Sequence, residues 1–156
     1  MSRLSEDGTI VYVLKPADHQ AGVSGDSIDM GGVHSVAFIM ACAGLTGNAV
    51  LTIASGATAG AATTSETFNY RVADAAQGSA TADTYGDWAS SSSLTLTAAT
   101  FQNKTTIIEI DSASLTNGQP WLTLAISAAA SAMTASVVAV GRARYSAHDA
   151  PTLIGA

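Results

Sequence analysis

Residues 105–111 read Thr-Thr-Ile-Ile-Glu-Ile-Asp, and this stretch decides the fold class. Successive side chains of a β-strand point to opposite faces, so Thr106, Ile108 and Ile110 share one face. The opposite face holds Ile107, Glu109 and Asp111. The pattern predicts a strand with one face toward a core and the other toward solvent.

Seven further segments have a short, β-branched or alternating pattern of the same kind. They are Thr9–Leu14, Val36–Ala41, Ala49–Ala54, Thr67–Val72, Leu94–Thr97, Trp121–Ile126 and Ala135–Val140. Turn residues separate them, among them Asn117–Pro120, and Gly44–Asn48 is typical of a hairpin loop. Many short strands at this spacing predict an all-β fold, an antiparallel β-sandwich or a jelly-roll-like domain.

The chain of 156 residues predicts a single domain with extended termini. We expect an N-terminal arm over residues 1–8, the sandwich over 9–145 and an extended C-terminal tail over 146–156. Two stretches rich in Ala, Gly and Ser, Ser55–Thr64 and Ala73–Ser93, predict long loops. A loop of such length is either a surface connection or an arm that orders against a partner.

Composition excludes several classes of function. Charged residues are only 12% of the chain, and the net charge is −6. A nucleic-acid-binding protein needs clustered Lys and Arg, which six scattered basic residues do not supply. No apolar run reaches the length of a membrane span, and the first residues do not resemble a signal peptide. We therefore expect no nucleic-acid or membrane partner, and synthesis in a cytoplasm.

No set of residues predicts catalysis, a metal site or a cofactor. The three histidines, His19, His34 and His148, lack the spacing of metal ligands. Glu109 and Asp111 share a strand face and could form an acid–base pair. Two carboxylates on the solvated face of a strand are, however, the more common arrangement. The single cysteine, Cys42, lies in an apolar run and is expected to be buried. The sequence predicts a protein that is not an enzyme.

The C-terminal segment holds the candidate contact residues. Arg142, Arg144 and Tyr145 follow the last predicted strand, and the chain ends with an apolar pair, Leu153 and Ile154. Arg and Tyr are favoured at interfaces because they combine area with directional hydrogen bonds. Such a tail is either frayed or docked on a neighbouring subunit or a capsid, and docking is expected of an assembly protein.

Four aromatic residues permit a different class of function, a carbohydrate- or surface-binding module. Trp88, Trp121, Tyr70 and Tyr85 would have to cluster for sugars to stack on them. The two tryptophans are a strand or more apart in the chain, so a core or interface role is favoured for them.

Three segments together resemble the head decoration, or cement, proteins of tailed bacteriophages. They are residues 26–39, with the pattern Ile-Asp-Met-Gly followed by Val-x-Phe; residues 106–126, two strands around a turn; and residues 137–145, a closing strand that ends Gly-Arg-Ala-Arg-Tyr. The resemblance covers most of the chain in order. It implies a β-sandwich or jelly roll bound in many copies to the outer surface of the capsid.

The resemblance further implies a partner, the major capsid protein, and a place on the exterior of the virion. Small Ala and Ser side chains permit close packing between copies, so we expect a homo-oligomer, a trimer at three-fold positions. A neck, tail or fibre-base protein of a phage is the structural alternative. The acidic charge suits the outside of a shell, away from packaged DNA.

Overall fold

The computed structural model describes residues 8–144 and 154–155. Its strands are β1 (Gly8–Asp18), β2 (Val23–Ser24), β3 (Ser27–Asp29), β4 (Val33–Ala43), β5 (Ala49–Gly56), β6 (Thr64–Ser65), β7 (Phe68–Val72), β8 (Ala89–Ser91), β9 (Ser93–Leu96), β10 (Thr105–Asp111), β11 (Trp121–Ile126), β12 (Thr134–Ala143) and β13 (Ile154–Gly155). Between β9 and β10 lies a single helical turn, α1 (Ala98–Phe101). Short 3-10 turns at Met30–Gly32 and Ser112–Ser114 follow β3 and β10.

The strands form two antiparallel sheets. The first sheet has six strands in the order β1-β12-β4-β10-β7-β8. The second has the order β13-β3-β11-β5-β6, with β2 also paired to β11 and β9 to β5. From β4 onward the long strands alternate between sheets, as in Greek-key and jelly-roll folds. The predicted all-β sandwich is confirmed.

The alternating patterns correctly predict which side chains face the core. Ile108 and Ile110 are buried and the intervening Glu109 is exposed. The eight predicted strands are all present; β10 and β11 have the predicted bounds, and the bounds of the other six differ by one or more residues. The sequence analysis missed β2, β3, β6, β8 and β13, because a strand of two or three residues is too short to show a period. One of these, β8, lies inside the stretch predicted as a long loop.

The core between the sheets is aliphatic. Its fully buried large side chains are Phe38, Phe68, Ile28, Met30, Met40, Leu45, Leu51, Ile53, Leu96, Ile108, Leu122 and Leu124. Burial of one such side chain stabilises the fold by about 1.5–3 kcal/mol relative to its exposure. Cys42 belongs to the same core, as predicted, and burial raises the pKa of its thiol.

The prediction of a hairpin at Gly44–Asn48 is wrong. This segment joins β4 in the first sheet to β5 in the second, so the two strands face each other across the core and do not pair. Leu45, which is completely buried, fills the corner between the sheets. A short loop with glycines predicts a sharp turn, but not whether the chain returns to the same sheet.

The low-complexity stretch Ser55–Thr64 connects the paired strands β5 and β6. The Ala61 N–H donates to the carbonyl oxygen of Thr58, and the Gly60 N–H donates to Ser27 Oγ on the second sheet. The loop therefore folds back over the outer face of that sheet. Gly56 permits the return, since a Cβ atom there would lie 1.9 Å from the Ala61 carbonyl oxygen.

We expect the substitution Gly56→Ala to destabilise the fold by about 1–3 kcal/mol, because backbone atoms must move to admit the methyl group. Chemical denaturation of the variant measures this loss. Gly60→Ala is not a fair comparison, because its φ of +79° itself disfavours alanine. Gly32→Ala is the matched control: no atom lies within 4 Å of its added Cβ, and we expect a change under about 1 kcal/mol. Equal stability of the two variants would contradict the steric explanation.

Candidate interaction surface

An apolar stripe crosses the outer face of the first sheet. Residues directly opposite one another in register run from Tyr12 on β1 through Val138, Ile39 and Ile107 to Arg71 on β7. Paired residues of an antiparallel sheet project from the same face, so these five side chains form one row. Tyr12 is 62% exposed and Ile39 is 39% exposed.

The neighbouring row continues the apolar surface. Ile10, which is 49% exposed, lies opposite Val140, and Val140 lies opposite Ala37. Charged groups stand at the margin: Glu109 follows Ala37 in this row, and the row beyond contains Arg142, Ser35 and Asp111. A contiguous apolar patch with a polar rim is typical of a protein–protein contact surface.

The outer face of the second sheet is covered by the chain itself. Gly155 of β13 lies close to both the Trp121 ring on β11 and Ala59 of the Ser55–Thr64 loop, since a Cβ atom at Gly155 would lie 2.5 Å from the ring and 2.7 Å from the Ala59 Cβ. Ser27 and Thr123, on the same face, are buried and joined by a hydrogen bond of 2.7 Å. Within residues 8–144 and 154–155, the stripe on the first sheet has no comparable cover.

Arg71, at the end of the stripe, lies close to two aromatic rings. Its guanidinium carbon is 5.0 Å from the centre of the Tyr85 ring and 4.7 Å from that of Trp88. Its Nε is buried without a hydrogen-bond partner among the described residues. Trp88 is itself 47% exposed. Such stacking fixes the flat guanidinium in place and leaves Trp88 available for contact.

Sequence reasoning did not find this arrangement. Tyr85 and Trp88 lie in a stretch predicted as a loop, and nothing in its composition indicates that it returns to β7. The link is made by an isolated bridge between Ala73 and Tyr85 and by the pairing of β8 with β7. Alternation on β7 did place Arg71 on the face opposite Tyr70.

The four aromatic residues of the carbohydrate-binding alternative are not brought together. Tyr85 and Trp88 flank Arg71, whereas Tyr70 contacts Phe68 with its ring centre 6.5 Å away. Trp121 lies on the other sheet, in contact with Gly155. The structure provides one exposed tryptophan beside an arginine, not a platform of four rings.

The predicted contact residues of the C-terminal segment differ in their exposure and in their contacts. Arg142 is exposed on the outer face of β12. Arg144 is bound to its own chain: its Nε donates to the Val33 carbonyl oxygen at 3.1 Å and its Nη2 to Ser112 Oγ at 2.9 Å. Ile154 pairs with Ile28 of β3. Tyr145 and Leu153 lie outside the described residues, as does His148.

A buried carboxylate, Glu66, organises a second polar cluster. Its Oε1 accepts from Ser55 Oγ at 2.5 Å and from the Thr116 N–H at 3.1 Å. Ser55 Oγ also lies 2.9 Å from the Gln119 side-chain oxygen. Glu66 is only 6% exposed. The cluster ties β5 to the turn before β11, and this role is structural.

Two clefts in the described part of the chain lack converging ionisable groups. A depression of about 500 Å³ beside β11 is lined by small and aliphatic residues, among them Gly22, Val50 and Ala125. A second, of about 490 Å³, contains Arg144, which is already bound. No three His, Cys, Asp or Glu side chains of the described residues are grouped as metal ligands. Among the same residues, no helix has the length and apolar character to cross a membrane.

The fold defines a two-sheet β-sandwich protein in which the described residues, 8–144 and 154–155, leave the outer face of the first sheet uncovered. No protein-family model matches the chain, and no curated protein matches it. Among solved structures, the chain is similar to the crystal structure of SPBc2 prophage-derived protein YomS. The two share 12% sequence identity with a TM-score of 0.37, over 86% of this chain and 93% of the other. A similarity at this level carries no conclusion on function.

Proposed function

We propose that this protein is a non-catalytic structural component of a phage particle, which decorates the outer surface of the assembled capsid and stabilises it. The observation that carries the proposal is the apolar stripe from Tyr12 to Arg71, which the described part of the chain leaves uncovered. A protein of this size rarely leaves such a surface in contact with water unless another molecule covers it. The stripe therefore supports membership of an assembly.

Two features of the sequence support the capsid exterior as the place of that assembly. The net charge of −6 is unfavourable beside packaged DNA and acceptable on the outside of a shell. The segments 26–39, 106–126 and 137–145 resemble those of head decoration proteins. We propose the major capsid protein as the partner.

The proposed mechanism requires no chemical step. A protein that binds the mature shell but not its precursor stabilises the shell by mass action, by about 2.7 kcal/mol per site at a free concentration 100 times the Kd. Repetition of the site over a symmetric shell multiplies this effect. A modest affinity of each copy is therefore sufficient.

The proposal is tested with particles of the encoding phage grown without this protein. We expect the purified protein to cosediment with mature heads at a fixed ratio to the major capsid protein, and to raise the temperature at which the heads release DNA. Purified tails serve as the control, on which we expect no binding.

Cryo-electron microscopy of the complete particles then shows the location directly. Density for the sandwich on the capsid surface supports the proposal, and density confined to the neck, tail or fibre base overturns it. Binding to sugars on a glycan array, without binding to heads, would favour the surface-binding module instead.

A further inference from the structure

We infer that the outer face of the first sheet is the contact between two copies of this chain, related by a two-fold axis that runs along β4. The inference deepens the proposed function by naming the occupant of the apolar stripe. It concerns the free protein in solution and is tested there.

The size of the face fits a subunit contact. Six strands spaced about 4.8 Å apart span about 24 Å, and the outward residues of β4 from Ser35 to Ala43 span about 27 Å. The projected area, about 650 Å², approaches the roughly 800 Å² per partner of a standard stable interface. The apolar stripe lies at the centre of this area and the charged groups at its edge.

The arrangement of strands selects the axis. In the stripe, β4 is the middle strand, with β12 and β1 on one side and β10 and β7 on the other. A two-fold axis along β4, in the plane between two facing sheets, places β12 over β10 of the partner subunit. Ile39 then meets its own copy, and Val138 meets Ile107 of the partner subunit.

The same axis pairs the outlying groups favourably. Tyr12 comes to the end of the stripe at which the partner subunit's Arg71 lies beside its two rings, so an exposed aromatic side chain meets a cation. Arg142, at the end of β12, lies over the end of β10 where Glu109 and Asp111 of the partner subunit project outward. An axis perpendicular to the strands would place Arg142 over uncharged Thr134 and Ser136 instead.

A two-fold contact of this kind replaces the trimer expected from the sequence. The contact is self-complementary and closes at two copies. Small residues beside the stripe, such as Ala41 and Ser136, allow the two sheets to approach closely. Sheets that pack face to face in proteins lie about 10 Å apart, with their strands about 30° from parallel.

Sedimentation equilibrium of the purified full chain tests the inference. We expect twice the chain mass of 15.6 kDa, with a dissociation constant on the order of micromolar or below. Ile39→Lys places two like charges on the axis, and we expect at least a roughly 100-fold weaker dimer. Thr95→Lys, an exposed residue on β9 of the other sheet, is the matched control and should leave the mass unchanged.

A charge exchange tests the orientation of the two subunits. Arg142→Glu should weaken the dimer about 10-fold, and addition of Asp111→Lys should restore most of the loss, because Arg142 and Asp111 share one row of the register and the exchanged charges again meet across the axis. Absence of restoration overturns this axis.

Three results overturn the dimer itself: a monomer at every concentration, a trimer, or a monomer that dimerises only after deletion of residues 1–7. The last result would show that the chain's own N-terminal segment occupies the face. A dimer that does not bind heads would instead overturn the proposed function alone, so the two failures are distinguishable.

Discussion

Phe38→Ala is expected to lower the free energy of unfolding by about 3–5 kcal/mol, the largest effect of any substitution considered for this chain. Phe38 has no solvent exposure and lies on β4, in the interior of the first sheet. It is opposite Ile108 on one side and Ala139 on the other, and its ring projects toward the second sheet. Alanine would leave a cavity where the two sheets meet.

Denaturation by urea at one fixed protein concentration measures this loss, and a fall in Tm of about 10 °C should accompany it. His34→Ala is the matched control, because His34 is an exposed residue of the same strand. We expect a change within about 0.5 kcal/mol for the control. A Phe38→Ala protein as stable as the control would mean that the two sheets do not share one core.

The sequence predicted most of the fold because alternation is a local property of the chain. On β10, the choice between Ile108 inside and Glu109 outside follows from the spacing alone. Whether the chain after a turn joins the same sheet or the other one is not a local property, and this explains the wrong prediction of a hairpin at Gly44–Asn48. The choice between the sheets depends on where Leu45 is buried. A strand as short as β8 forms because it pairs with a neighbouring strand, here β7, and not because of a pattern in its own sequence.

The sequence predicts single residues of the candidate surface but not the surface that they form together. Arg142 was singled out for its residue type, and it is indeed exposed. Arg144 was chosen for the same reason but is bound to Val33 and Ser112. Composition does not distinguish an arginine that serves the fold from one free to bind a partner. The stripe from Tyr12 to Arg71 requires the register of five strands, which no single segment contains.

Glu66 gives a further test, of a buried polar contact. We expect Glu66→Ala to lower the free energy of unfolding by about 2–4 kcal/mol. The Thr116 N–H loses its hydrogen-bond acceptor, and the Ser55 hydroxyl loses one of the two side-chain oxygens near it. Glu66→Gln retains a side-chain oxygen at the same position, so about half of that loss is expected. The loss in Glu66→Gln relative to the unsubstituted protein reports the contribution of the carboxylate charge to these hydrogen bonds, and the further loss in Glu66→Ala reports that of the remaining neutral oxygen.

Urea denaturation of the two variants measures both losses, with Asp83→Ala and Asp83→Asn as controls at an exposed acidic position away from the apolar stripe. The controls should change stability by no more than about 0.5 kcal/mol. If Glu66→Ala were as stable as Asp83→Ala, the hydrogen bonds to Ser55 and Thr116 would contribute nothing net to the free energy of unfolding. The turn before β11 would then be held by apolar burial alone, since Leu122, which follows Trp121 on that strand, is completely buried.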